Sequence, residues 1–233
     1  MADPSTDFAL LERWREGEEG AGRELFGRYF DAVYRFFRSK LAHAAEDLTQ
    51  QTFMSLVQSR DSFRGEASFR TFVFTVARKR LYDHLRTLHR KPTPEGIGSV
   101  SIADIASFSP SRAVAEREEQ QLLLKALRTL PLDMQVALEL HYWEEFTVTE
   151  IAGVLEVAEG TVKSRLQRAR ARLDERLAAL AGSDELLRST LDDFQRWARD
   201  LQTYLAARRT PDAADAPDAS DDAPPEGGDA PPA

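Results

Sequence analysis

The chain has 233 residues, 39 acidic against 31 basic, a formal charge of −8 and no cysteine. That length suits one large domain or two small helical ones, and the missing cysteines exclude a disulfide framework, a thiolate zinc site and a cysteine redox switch. No apolar run is long enough for a membrane span, and the N-terminus lacks a basic region followed by an apolar block, so the expected location is cytoplasmic without membrane insertion.

The charge is unevenly placed. Asp212, Asp215, Asp218, Asp221, Asp222, Glu226 and Asp229 fall in residues 211–233 with no basic residue among them, which leaves −1 for residues 1–210. In chain order, residues 8–38 read as helix, with Phe8, Leu11 and Trp14 and then Leu25, Phe26, Tyr29, Phe30, Val33, Phe36 and Phe37 at helical spacing; Glu16–Gly20 breaks the run. A second helix spans about 44–59, with overlapping apolar rows at Leu48, Thr52, Leu56 and at Phe53, Val57. Residues 62–67 are a loop. Helix returns over 68–88, where Phe69, Phe72, Val73, Val76, Leu81 and Leu85 form the stripe, and Phe72 is assigned to the core.

Residues 91–112 carry Pro92, Pro94, Gly96, Gly98 and Pro110 and read as a linker. Its apolar Ile97, Val100, Ile102, Ile105 and Phe108 point to a strap lying on a surface. Helices resume over about 113–129, at Leu130-Pro131 through Trp143, and over 147–174. Beyond Gly182 a further helix to about Arg209 is expected from Leu187, Leu191, Phe194, Leu201 and Leu205, followed by a disordered acidic Pro/Ala tail. No alternating pattern suggests a strand, so the predicted class is all-α: two small helical domains joined by a linker, the second holding a helix-turn-helix. The expected boundaries are 1–90, a linker at 91–112, 113–180, a helical extension at 181–210 and a tail at 211–233.

Glu150-Ile151-Ala152 followed by Gly160-Thr161-Val162-Lys163-Ser164-Arg165 reads as a short helix, a tight turn and a second helix with small and basic groups in its opening turns. That is how a helix-turn-helix meets DNA. Gly160 and Thr161 permit close approach to phosphate, Lys163 and Arg165 lie where recognition helices touch base edges, and Arg168, Arg170 and Arg172 continue along the helix. Val162, Leu166, Ala169 and Leu173 would seat it on its own domain. An ordinary amphipathic hairpin with a solvated basic face is the bland alternative. A second basic block runs from Arg64 to Lys91, where eight Lys/Arg face only Glu66 and Asp83; a solvated face normally mixes signs.

With those residues in place, the chain resembles the extracytoplasmic-function (ECF) group of sigma-70 family RNA polymerase sigma factors over roughly residues 8–177. Leu130-Pro131, Val148–Ala152 and GTVKSRLQRARARL are similar to the family's domain 4, the upstream promoter reader. Glu46–Phe53 and DSFRGEASFRTFVFTVARKRLYDHLR are similar to domain 2.

The resemblance implies a promoter-specificity subunit with core RNA polymerase and promoter DNA as partners, an anti-sigma factor as a candidate third, and no enzyme activity, cofactor or metal. It implies upstream contacts from Thr161, Lys163, Ser164, Arg165, Arg168 and Arg172, and polymerase contacts from Asp47, Gln50 and Gln51. Downstream contacts fall to Phe63, Arg64, Phe69, Arg78, Lys79 and Arg80, around a pocket for a base that leaves the stack. Asp47 near a helix N-terminus also has a simple dipole explanation, and Phe63 and Phe69 are open between core and base contact.

The chain departs from the family pattern at four places: Phe72-Val73-Phe74 replaces a Trp-Leu-Tyr-like triplet, Lys79 a frequent Asn, and Gln135 a frequent Arg, while Glu156 stands in a turn that favours Gly. A DNA regulator acting without polymerase would share the helix-turn-helix but not the 46–86 match. An enzyme has no support in His43, His84, His89 and His141, which lack metal-ligand spacing.

Overall fold

The break inside the first helical run falls at Gly17, whose φ of +101° suits a residue without a side chain. The computed structural model describes residues 4–89, 96–105 and 118–181. Helix α1 (Pro4–Arg15) precedes the break and α2 (Glu19–Arg38) follows it. The two pack so closely that a Cβ on Gly22 would sit 2.6 Å from Trp14 Nε1. Helix α3 (Ala45–Ser59) buries Leu48, Thr49, Thr52, Phe53 and Leu56. Its two buried threonines donate to carbonyls one turn back, Thr49 to Ala45 at 2.6 Å and Thr52 to Leu48 at 2.7 Å, which satisfies their hydroxyls without a partner helix. After a loop, Ser68 caps α4 (Phe69–Leu88) by accepting from the Thr71 N–H at 3.1 Å.

The middle of the expected linker does lie on the protein. A short 3₁₀ turn and α5 (Ile102–Ile105) bury Ile97 and Ile102, and the Leu132 N–H donates to the Val100 carbonyl at 2.9 Å. Beyond it come α6 (Glu118–Arg128), α7 (Leu132–Tyr142), α8 (Val148–Leu155) and α9 (Glu159–Leu180). The outer parts of that linker, the helical extension and the acidic tail lie outside the described residues. Among the described residues there is no strand, only an isolated bridge between Ser101 and Pro131, and the class is all-α.

One apolar interior runs through both halves. It passes from Leu11, Phe37 and Phe74 to Leu140, Phe146, Ile151 and Val162, while a smaller cluster joins α6, α7 and α9 through Leu123, Leu127, Trp143, Leu173 and Leu177. Helix α7 belongs to both clusters, with Val136 and Leu140 in the first and Leu138 in the second, and is therefore buried nearly all round.

Charges cross the same seam. Lys40, just after α2, forms a fully buried pair with Glu139 of α7 and also donates to the Phe36 carbonyl at 2.8 Å. The Ser39 hydroxyl lies 3.1 Å from the Glu139 carboxylate, and Gln135 donates to it at 2.9 Å. Burial pushes the Lys40 ammonium down from its ordinary pKa and Glu139 pulls it back. Arg128 donates to the Ser39 carbonyl at 2.8 Å, and burial brings its pKa down to about 10. Gln135, where the resemblance led one to expect Arg, thus holds a buried carboxylate that already has a cation.

Several helix faces differ from the periodic reading. Phe8 is 51 % exposed, with Leu10 taking the buried place beside Leu11. Val57 is 50 % exposed. In α4 the buried row is Phe69, Val73, Phe74, Ala77, Leu81, Tyr82 and Leu85, so Phe72 is half-buried and corrected from core to margin. Periodicity shifted by one residue still gives an apolar stripe; packing partners decided between Phe72 and Phe74. The Phe74 ring meets Phe36 at 5.8 Å and Phe146 at 5.1 Å.

Candidate nucleic-acid interface

Helix α8 opens on a capping box. Thr147 Oγ1 accepts from the Glu150 N–H at 3.2 Å and Glu150 returns by accepting from the Thr147 N–H at 2.8 Å, which satisfies two of the helix's free donors. The turn after α8 is made by Glu156 in the left-handed region, φ +56° and ψ +44°. Helix α9 then begins beside the α8 start, where Thr149 donates to Glu159 at 2.7 Å. Val162, Ala169, Leu173 and Leu177 face inward. Thr161, Lys163, Ser164, Arg168 and Arg172 are exposed along the opposite side. A Cβ on Gly160 would meet nothing within 4 Å, as an outward-facing helix start requires.

Arg165 stands apart from that row. It is half-buried and pairs with Asp133 of α7 at 3.1 Å; the Asp133 carboxylate also accepts from the Tyr82 hydroxyl of α4. Asp133 therefore ties the recognition helix to the other half of the protein.

The second basic block is carried by α4 and the loop before it. Arg64 is exposed and Phe63 half-buried, stacked on Phe72 with ring centroids 4.7 Å apart and edge-on to Phe69 at 6.0 Å. Phe69 is 5 % exposed, so it forms the floor behind Phe63 and leaves no ring face for a base. Arg78, largely covered, and Lys79, exposed, both bind Glu156, at 2.5 and 2.9 Å. Lys79 first, then Arg78, hold the Glu156 carboxyl below its ordinary pKa. Arg80 donates to the Ser55 hydroxyl at 3.0 and 2.6 Å, and Arg70 lies 3.9 Å from the Phe146 ring centre. The sign count along the segment missed these partners because they come from α3 and from the turns on either side of α8. Arg90 and Lys91 lie outside the described residues.

Asp47 and Gln50 are exposed on α3, and Gln51 donates to Asp47 at 2.7 Å. Sequence reading missed the apolar half of this face. Met54, 55 % exposed, and Val57 follow Asp47 and Gln50 at intervals of seven, and that spacing was the available signal.

Comparison with known proteins places the two segments. Residues 25–91 match the family described as sigma-70 region 2, and residues 120–173 match sigma-70 region 4; together they cover about half of the chain, in order. The chain is an ECF member of the sigma-70 family.

This sigma factor is 26 % identical to the ECF RNA polymerase sigma-E factor of Escherichia coli (strain K12) over 188 residues, 77 % of this chain and 98 % of that protein. It is 27 % identical to the sigma-E factor of Haemophilus influenzae over the same share of the chain and 100 % of the relative. A solved sigma factor RpoE, in complex with the anti-sigma factor NepR from Bartonella quintana, aligns with a TM-score of 0.52 at 27 % identity, covering 67 % of this chain and 96 % of that one. CnrH in complex with the cytosolic domain of CnrY shares the fold, with a TM-score of 0.54 at 21 % identity over 76 % and 99 %. As a sigma factor, the chain directs transcription initiation.

Proposed function

We propose that this sigma factor reads a two-part promoter through two surfaces while docked on core RNA polymerase through a third. Thr161, Lys163, Ser164, Arg165, Arg168 and Arg172 on α9 serve the upstream element. Phe63 and Arg64, backed by Phe69, serve the downstream element with Arg78, Lys79 and Arg80. Asp47, Gln50 and Gln51 face the polymerase. In this reading residues 1–90 are the polymerase-binding and downstream unit, 91–112 the linker and 113–180 the upstream unit, with 181–210 a helical extension and 211–233 an acidic tail. The observation that carries the proposal is the outward basic row of α9 set on the turn of a capped two-helix unit, in a chain that also holds region 2.

The chemistry is non-covalent. Charge supplies affinity, while groove contacts and a captured base supply specificity, so the protein acts as a subunit and not as an enzyme. Arg78, Lys79 and Arg165 face carboxylates in this structure, and phosphate takes their place as Glu156 and Asp133 give way. No described helix is long and apolar enough to cross a membrane, which supports action in the cytoplasm beside its polymerase. An anti-sigma factor is a further partner, as in the solved relative.

The test is reconstitution with core polymerase. The pair is expected to start transcription at one defined site of a promoter library, and the protein alone to start none. Absence of any defined start, with the two proteins shown to bind, would overturn the reading.

A further inference from the structure

Helix α1 lies before the matched region 2, yet it holds the loop proposed to take the downstream base. Two guanidinium groups staple them reciprocally. Arg15, at the last turn of α1, donates through Nε and Nη2 to the Arg60 carbonyl at 3.1 and 2.7 Å and through Nη2 to the Phe63 carbonyl. Its Nη1 is held by Glu12 at 2.6 Å. In return Arg60 donates to the Trp14 carbonyl at 3.3 Å and lies 5.1 Å from the Trp14 ring centre. The far side of the loop lies beside α1 as well: Gly65 turns with φ +72°, and a Cβ there would sit 3.5 Å from the Phe8 ring. Helix α1 is itself fixed, because Asp7 accepts from Arg28 at 2.9 Å and from the Tyr29 hydroxyl of α2.

A planar fork that bonds two carbonyls three residues apart fixes the direction of the backbone between them, as a point-charge ammonium does not. Here the second carbonyl belongs to Phe63, whose ring is stacked on Phe72. The geometry points to Arg15 as a positioning residue for the downstream loop, setting the angle at which Phe63 and the loop after it meet an unstacked base. This rests on the proposed reading of that loop. Preorganisation of this kind moves the ordering cost from the encounter to the fold.

The test uses holoenzyme formed from the full chain with core polymerase and a promoter already opened as a bubble over the downstream element, native or with each of its bases replaced in turn. Arg15→Ala is expected to lose affinity for the native bubble on the order of tenfold, the value of one lost charge-assisted hydrogen bond. Discrimination between native and substituted bases falls towards none. Binding to core polymerase and to upstream duplex changes by no more than about twofold, as distant sites should. Arg15→Lys recovers part of the discrimination.

Equal loss of affinity on native and substituted bubbles would mean that Arg15 only supports the fold, and would overturn the inference. Phe63→Ala separates the two layers: unchanged discrimination in that variant sinks the reading of the loop, whereas collapse there with wild-type discrimination in Arg15→Ala sinks only the role of Arg15. Should Arg15→Ala fail to fold, Arg15→Lys decides alone, with reduced discrimination in support and wild-type discrimination against.

Discussion

Lys40 and Glu139 show what a single pair can cost. Each is out of solvent, and each would be an uncompensated charge without the other. Glu139→Ala is expected to destabilise the protein by about 3–5 kcal/mol in urea unfolding, whereas Lys40→Met with Glu139→Leu costs far less, because it removes both charges. Glu144 gives the pH counterpart. It sits 3.4 Å from Arg35, with Arg70 and Glu139 also acting on it, and burial raises its carboxyl pKa above the ordinary 4.5. The folded protein then holds a proton that the unfolded chain releases, so this contribution is full below pH 4.5 and fades as pH rises through the raised value. The stability advantage of wild type over Glu144→Gln should therefore be greatest in acid and shrink towards neutrality, measured by denaturant titration across that range. None of these carboxylates could be picked from the sequence, because a buried acid differs from a solvated one only in what folds against it.

At the scale of elements, helix existence was legible and helix facing was not. The Glu16–Gly20 run marked the first break, the apolar spacing put helix starts near 68 and 147, and the Leu130-Pro131 pair marked the entry to α7. The face was harder because rings stand at 69, 72 and 74, and two of several rotations bury an aromatic row. Val57 was placed in an apolar row by the same rule, though it is outside. The cap of α8 carries a direct test. Thr147→Ala removes one half of the capping box and should cost about 1 kcal/mol. Upstream duplex binding should weaken with it while downstream bubble binding holds, a difference that fluorescence anisotropy on the two DNAs would read.

For the whole molecule, the family signatures assigned the surfaces to stretches of the chain but said nothing of how they face each other. Glu156 was legible as an unusual turn residue, and its left-handed backbone is as expected for that turn. Its ion pairs with Arg78 and Lys79 were not, since they join residues 77 and 78 positions apart. Glu156→Gln keeps the side chain's length and removes its charge. The variant is expected to raise the free protein's affinity for promoter DNA, most at low salt where the pairs are least screened, and equal affinity at low salt would show that the pairs do not compete with phosphate.

The apolar interior common to both halves also bears on what happens when the chain is broken. A nick between Ile105 and Glu118 separates the two family segments covalently, yet leaves Phe74 against Phe146 and Lys40 against Glu139. The pieces of such a nicked molecule are expected to stay joined as a non-covalent heterodimer, which size-exclusion chromatography after limited proteolysis would show. Either piece made alone presents the seam as a bare adhesive face, so the halves are better regarded as mutual chaperones than as beads on a string.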